Sequence, residues 1–484
     1  MERLGSLDAV FLAVEGPTSP MNIGSVGIFE GPAPSFDSVR AFVAARLQLI
    51  HRCRQRVLEA PRNVARPVWI DDVTFDLDHH LRVTNLPEHP LALEELVERV
   101  MTQPLRRDRS LWEMWVVTGL GDGRWAIVSK VHHCMVDGIA GSDLLAVMMD
   151  RTPAVDHPAP DAWVPAREPS TIELARFSTT QAARSLRTHV CHAITTLCHI
   201  RTAWNRLRGI IAGAKGLWLQ PRRRDSPLTG PIGAHRSWAR TRISLDDVAT
   251  VRHAVGGTVN DVVLTAITRG FRELLRARGE TTGGRTVMTL VPVSSRAPDE
   301  HGRLDNRVAV THVLLPVGID DPLATYAAVR SELDAVKISH EADASTVLLH
   351  TGDFAPHAIA AVVARAVVRV QQNLETIATN VPGPRFPLYL CGRRMLESYP
   401  FAPIAGRIRI GIAIWSYCGT LYLGVTGDRD SAGDLDRLVG GITRGFESLR
   451  NGAADPLTSR TTGPHPGPST DAHIQEHPGE RAGE

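Results

Sequence analysis

The sequence predicts an α/β protein, and three observations carry that reading. Short apolar runs with strand character and longer runs with helical spacing follow one another along much of the chain. A Pro-rich stretch from Thr152 to Pro169 interrupts the series and separates two blocks. The length, 484 residues, suits two to three domains with sizeable cores.

In the first block, Asn22 to Phe29 reads as a strand and Phe36 to Ile50 as an amphipathic helix behind a Pro-rich start. Leu91 to Met101 reads as a helix, and Met114 to Leu120 and Trp125 to His132 as strands. The apolar spacing from Ile139 to Met149 predicts a further helix. The second block opens near the loop Ser226-Pro227-Leu228-Thr229-Gly230-Pro231. Ser244-Leu245-Asp246-Asp247 has the composition of a helix start, and a longer helix runs from Val259 to Ala277. Strands are expected at Thr286 to Val291 and Val308 to Leu315, and helices at Pro322 to Ile338 and Pro356 to Gln372. Strands at Leu388 to Met395, Arg407 to Trp415 and Thr420 to Thr426 precede a last helix, Asp434 to Leu449. Four segments result: residues 1–151, a linker and crossover at 152–225, a second half at 226–452, and a tail at 453–484. The tail has almost nothing to bury, so disorder is expected there.

Composition narrows the function classes. The formal net charge is +2, so the chain has no general field for polyanions and nucleic acid is not an expected partner. Lys occurs only at 130, 215 and 337; the Arg bias fits genomic composition rather than recognition. Glu2, Asp8 and Glu15 interrupt any secretory pattern, and the apolar segment from Ala358 to Val370 carries Arg365 and Arg369 and is too short to span a bilayer. The cysteines at 53, 134, 191, 198, 391 and 418 lack paired spacing, which fits reduced thiols in the cytoplasm. Cys191-His192 and Cys198-His199 do not match a zinc pattern, so no metal is expected.

The stretch with most chemical content is Val131-His132-His133-Cys134-Met135-Val136-Asp137-Gly138, at the end of the Trp125 to His132 strand. Adjacent strand residues point to opposite faces, so one His can meet a reaction channel while the fold holds the other. Gly138 permits a sharp turn after Asp137. A hydrogen-bonded core histidine is the plain alternative. Two neighbouring strand His cannot easily share one metal ion, and a serine hydrolase would need a Gly-x-Ser-x-Gly elbow that the chain lacks.

The octapeptide resembles the active-site motif of acyltransferases with the chloramphenicol acetyltransferase-like fold. More narrowly, the chain is similar to the bacterial wax ester synthase/diacylglycerol acyltransferase family. Ser6-Leu7-Asp8-Ala9 with Phe11, then Pro20-Met21-Asn22-Ile23-Gly24, is similar to its opening signature. Trp69-Ile70-Asp71-Asp72, Phe75-Asp76-Leu77-Asp78 with His80, and Pro104-Leu105 with Arg109 and Leu111-Trp112-Glu113 follow in order. Asn260-Asp261-Val262-Val263, Val291-Pro292-Val293-Ser294 with Arg296, Asn306-Arg307-Val308, Asn380-Val381-Pro382-Gly383-Pro384, Pro387-Leu388-Tyr389 and Ser416-Tyr417 complete the series. Four positions depart from the family pattern: Asn22 stands for His, Arg106 for Asp, Ser110 for Pro and Asp305 for Gly.

The resemblance implies two chloramphenicol acetyltransferase-like α/β sandwich halves with the active site in a channel between them. It implies transfer of an acyl group from long-chain acyl-CoA, a co-substrate and not a bound cofactor, to diacylglycerol or a long-chain alcohol. His133 would be the general base and His132 and Asp137 its supports, with Asp137 paired to Arg54 or Arg56. Asn260 and Asp261 would form the opposite wall of the channel, against the simpler reading of a helix cap. Ester formation suits a base of this kind, because an alcohol needs its proton removed and imidazole titrates near neutrality. No covalent acyl-enzyme is required, so Cys134 reads as a buried structural residue. Two other readings stay open: a catalytically weak lipid-binding or lipid-droplet protein, and an acyltransferase using a carrier-protein thioester.

From Leu174 to Arg224 there is no Asp or Glu, while Arg176, Arg184, Arg187, Arg201, Arg206, Arg208, Lys215 and Arg222 to Arg224 are basic. Leu186, Val190, Ile194, Leu197, Ile200, Trp204, Leu207 and Ile211 recur at helical spacing. A basic amphipathic helix of this composition suits an anionic membrane or lipid-droplet surface, and equally a solvated crossover helix. The expected location is the cytoplasm, with peripheral attachment to the inner face of the plasma membrane or to lipid droplets.

Overall fold

The computed structural model describes residues 1–60, 65–135, 147–154, 163–180, 226–294, 308–338 and 373–454. In chain order the first half comprises β1 (Glu2–Arg3), α1 (Ser6–Val14), β2 (Asn22–Phe29), α2 (Phe36–Arg46), β3 (Gln55–Leu58), β4 (Val68–Asp71), β5 (Leu81–Asn85), α3 (Ala92–Thr102), β6 (Trp112–Thr118) and β7 (Trp125–His132). The second half comprises β8 (Arg236–Ser244), α4 (Leu245–Val255), α5 (Val259–Ala277), β9 (Val287–Ser294), β10 (Val308–Leu315), α6 (Pro322–Ile338), β11 (Thr376–Val381), β12 (Tyr389–Leu390), β13 (Arg393–Phe401), β14 (Ile410–Tyr417), β15 (Thr420–Asp428) and α7 (Leu435–Ala454).

Among the described residues, the strands form two six-stranded sheets, ordered β12-β13-β2-β7-β6-β5 and β10-β9-β11-β14-β15-β8, plus a small sheet β1-β4-β3. Each large sheet has its own apolar core, one around Val26, Val97, Trp125 and Val128, the other around Val263, Ile267, Leu423 and Leu438. The second core depends on close helix packing. A Cβ on Gly270 of α5 would come within 2.5 Å of Ile442 on α7, so glycine is what lets the two helices approach.

The second half does not keep to its own sheet. β13 pairs antiparallel with β2, with Ser398 opposite Gly27, and so extends the first sheet. A division at residue 226 therefore separates the chain but not the sheets. The strand expected from Leu388 to Met395 is in fact two, β12 and β13, joined through Cys391 and Gly392, both at positive φ. The helix expected to reach Ile50 stops at Arg46, and short 3₁₀ turns follow, because Ile50 leaves helical geometry at φ −132°, ψ 78°.

Ion pairs and hydrogen bonds stitch the halves along α3 and β8. Glu94 accepts from Arg240 at 2.9 Å, and Glu98 accepts from the Trp238 amide at 2.9 Å and from Arg429 at 2.5 Å. The start of the basic segment is docked on the small sheet: Leu174 and Phe177 pack against Val68, Ile70 and Leu58. Among the described residues, no helix is long and apolar enough to cross a membrane. The expected helices at Ile139 to Met149 and Pro356 to Gln372, most of the basic segment including Cys191 and Cys198, and the tail lie wholly or largely outside the described residues.

Candidate active site

β7 is apolar through Val128 and then turns polar, delivering Lys130 and His132 on the same face. It lies between β2 and β6, with Asn22 opposite His132 on one side and Glu113 opposite Lys130 on the other. His132 ends the strand and is buried; its amide donates to Leu111 O at 2.9 Å. His133 is the first residue past the strand and is half-buried, and its amide donates to Met21 O at 2.8 Å.

The turn fixes the His132 tautomer. Its Nδ1 accepts the Cys134 amide hydrogen at 3.1 Å, so the ring proton sits on Nε2. That nitrogen stands 3.4 Å from Glu15 Oε1, a close electrostatic contact whose alignment falls short of a good hydrogen bond. Glu15 follows α1 directly, and Arg107 clamps its other oxygen at 2.8 and 3.3 Å. Arg107 also donates to Leu12 O at 3.1 Å and to Glu59 at 2.9 Å. Burial alone would raise the Glu15 pKa, but His132 and then Arg107 outweigh it and hold the carboxyl at about 2.

His133 is held differently. Its ring lies against Phe11 of α1, with centroids 3.8 Å apart and planes inclined by 16°. Its Nδ1 is shielded from solvent. The neighbouring Cys134 thiol is pushed well above its ordinary range, by burial first and then by the charges of Asp8 and Glu15. A thiol that stays protonated is a poor nucleophile. Lys130, also buried, has Nζ 3.6 Å from Glu113 Oε2, and burial lowers its pKa.

The other expected site residues divide. Asp261 is a helix cap: its carboxylate accepts the Thr258 amide at 2.6 Å while Thr258 Oγ1 accepts the Asp261 amide at 3.3 Å. This buried carboxylate caps the start of α5, as the simpler reading has it. Asn260 is exposed, and its Oδ1 accepts from Asn380 Nδ2 at 2.6 Å, joining two of the sequence blocks. Arg56 pairs with the exposed Glu168 at 2.8 Å. The Arg54 guanidinium lies over the Trp163 ring at 5.0 Å. Asp137 and Gly138 lie outside the described residues.

Three of the four departures have local explanations. Asn22 donates to Met101 O at 2.9 Å and Gln103 O at 2.8 Å, closing the end of α3. Arg106 pairs with Asp108 on the surface, and buried Ser110 donates to Gln55 O at 2.8 Å. Asp305 is outside the described residues.

Comparison with known proteins follows the same lines. The family model "Wax ester synthase/diacylglycerol acyltransferase catalytic domain" matches residues 4–263, and the C-terminal domain model of that family matches 304–450. The chain belongs to the wax ester synthase/diacylglycerol acyltransferase family. It is an acyltransferase of that family, with an α/β, chloramphenicol acetyltransferase-like fold. A probable diacylglycerol O-acyltransferase of Mycobacterium tuberculosis is 35% identical over 455 residues, covering 91% of this chain and 94% of that protein. The solved wax ester synthase/diacylglycerol acyltransferase of Marinobacter aquaeolei VT8 superposes with a TM-score of 0.67 at 23% identity, over 94% of this chain and all of that one. A condensation domain of the calcium-dependent antibiotic synthetase shares the fold at TM-score 0.59 and 17% identity, over 94% and 97% of the two chains.

Phe11, Glu15, Arg107 and Lys130 were not singled out as site residues from sequence. The spacing of Phe11 and Glu15, four apart, was the available signal, since such residues share a helix face.

Proposed function

We propose that this acyltransferase makes triacylglycerol from long-chain acyl-CoA and diacylglycerol, with long-chain alcohols as a second acceptor class. His133 is the general base. Its Nε2 takes the acceptor hydroxyl proton as the oxygen attacks the thioester carbonyl carbon. The tetrahedral intermediate collapses, the carbon–sulfur bond breaks, and the imidazolium returns the proton to the CoA thiolate. The observation that carries this reading is the contrast at adjacent positions: a half-buried imidazole held by backbone and ring contacts, beside a thiol that burial keeps protonated. That contrast favours direct transfer over an acyl-cysteine. The substrate class is taken from the diacylglycerol O-acyltransferase relatives, and the two acceptors meet acyl-CoA in a channel between the halves, with Asn260 and Asn380 on the far side.

His132 and Glu15 are positioning groups for the turn, and Asp137 fixes its far end. The basic amphipathic segment supplies contact with an anionic lipid surface at the cytoplasmic face or on lipid droplets.

Purified protein incubated with labelled palmitoyl-CoA and either diolein or hexadecanol tests the reading. CoA and ester should form together, and His133→Ala should lower the rate about a hundredfold or more. Equal turnover by wild type and His133→Ala would overturn the base assignment. Ester formed from hexadecanol alone would move the substrate from diacylglycerol to fatty alcohol.

A further inference from the structure

The stacked pair Phe11–His133 suggests more than packing. A ring face carries negative electrostatic potential, so it attracts a cation lying over it. Neutral imidazole gains little from that field, but imidazolium gains substantially. His133 becomes imidazolium only while it holds the acceptor's proton, and an interaction that strengthens on the way to the transition state is one that accelerates the step.

We propose that Phe11 is a positioning residue for the acyl transfer that also stabilises the protonated form of His133 through its ring face. The proposal rests on the reading of His133 as base. Its geometry is direct: 3.8 Å between centroids and 16° between planes put the imidazole over the ring rather than at its edge. α1 reaches this position because buried Ala9, Leu12 and Ala13 fix its inner side, while Arg107 ties Leu12 O and Glu15 at its end. Other charges close to this turn come from several elements: Asp8 and Glu15 from the α1 region, Arg107 from the loop before β6, Arg52 from the turn after α2, and Lys130 and His132 from β7. None of them is altered by changing Phe11, so a Phe11 series isolates the ring.

The test replaces Phe11 by Leu, by Tyr, and by pentafluorophenylalanine, which keeps the shape but withdraws charge from the face. Two readouts are followed: kcat/KM against pH, and the titration of the His133 ring by NMR, assigned with His133→Gln. In Phe11→Leu and the pentafluoro variant the plateau rate should fall about 2- to 30-fold, the span of a cation–π contact from exposed to desolvated. The acid limb should move to lower pH, because the imidazolium has lost a partner and gives up its proton more readily. Phe11→Tyr should restore both. A lower plateau with an unmoved limb and unmoved NMR titration would reduce Phe11 to packing and overturn the proposal, as would no change in either. The pentafluoro variant decides the question if Phe11→Leu fails to fold. Normal turnover by His133→Gln would instead overturn the base assignment, and the two failures are distinguishable.

Discussion

Glu15 Oε1 lies 3.4 Å from His132 Nε2, bridging the end of the first long helix to the end of the strand that carries the motif. The contact matters because Nδ1 of the same ring is already committed to the Cys134 amide. His132 thus has a hydrogen bond at Nδ1 and a charged neighbour at Nε2, beside the turn that carries His133.

Glu15 should link stability to pH. Its carboxyl is held at about 2 in the fold against an ordinary value near 4.5, so its contribution is present above pH 4.5 and is lost as pH falls toward 2. Glu15→Gln should cost on the order of 2–3 kcal/mol at pH 6. In urea unfolding at pH 6 and pH 3, the gap between wild type and variant should narrow on acidification. A gap independent of pH would remove the ionised Glu15 from the account.

Cys134→Ala should leave turnover within about threefold of wild type, while losing roughly 1–2 kcal/mol of stability through a small buried cavity. Intact-mass measurement during turnover checks the same point. A protein-bound acyl group that vanishes in the variant would show a covalent route.

Lys130 and Glu113 offer a contrast within one pair. Lys130→Met removes a buried ammonium and fills its space, so stability should hold or rise. Glu113→Gln strands that ammonium and should cost on the order of 3 kcal/mol near neutrality. Raising the pH toward 10 should shrink the loss, because burial already lowers the Lys130 pKa and the neutral amine needs no partner. Thermal unfolding of both variants at pH 7 and pH 9.5 reads the difference.

The basic segment should bind vesicles containing anionic lipid and release them as salt rises. Each basic side chain near such a surface contributes about 1 kcal/mol. Replacing Arg222, Arg223 and Arg224 together by Gln should lower co-sedimentation with anionic vesicles and leave turnover of detergent-dispersed acceptor intact. Unchanged sedimentation would return the segment to a solvated crossover. Leu174 and Phe177, at its start, pack on the small sheet.

Local pattern by itself determined much of this protein. β2, β7, α5 and α6 occupy the ranges their apolar patterns predict, and Thr258 marks the start of α5 as its cap. The position of the His pair at a strand end was legible for the same reason. The strands β3, β4, β5 and β8 give little periodic signal, since they are short or, in β3, β5 and β8, carry Arg within the run.

Only the tertiary structure decided which groups meet. Glu15 and His132 are more than a hundred residues apart, as are Phe11 and His133, and nothing in local spacing couples them. The pairing of β13 with β2 links positions still more distant, which is why a linear division into halves misplaces that strand. Asp261 shows the converse. Its residue type and neighbours suited either a cap or a site wall, and the amide of Thr258, left without a helical partner at the start of α5, took the carboxylate. Sequence set which side chains were able to do chemistry here, and the packing of α1 against the end of β7 selected the ones that touch.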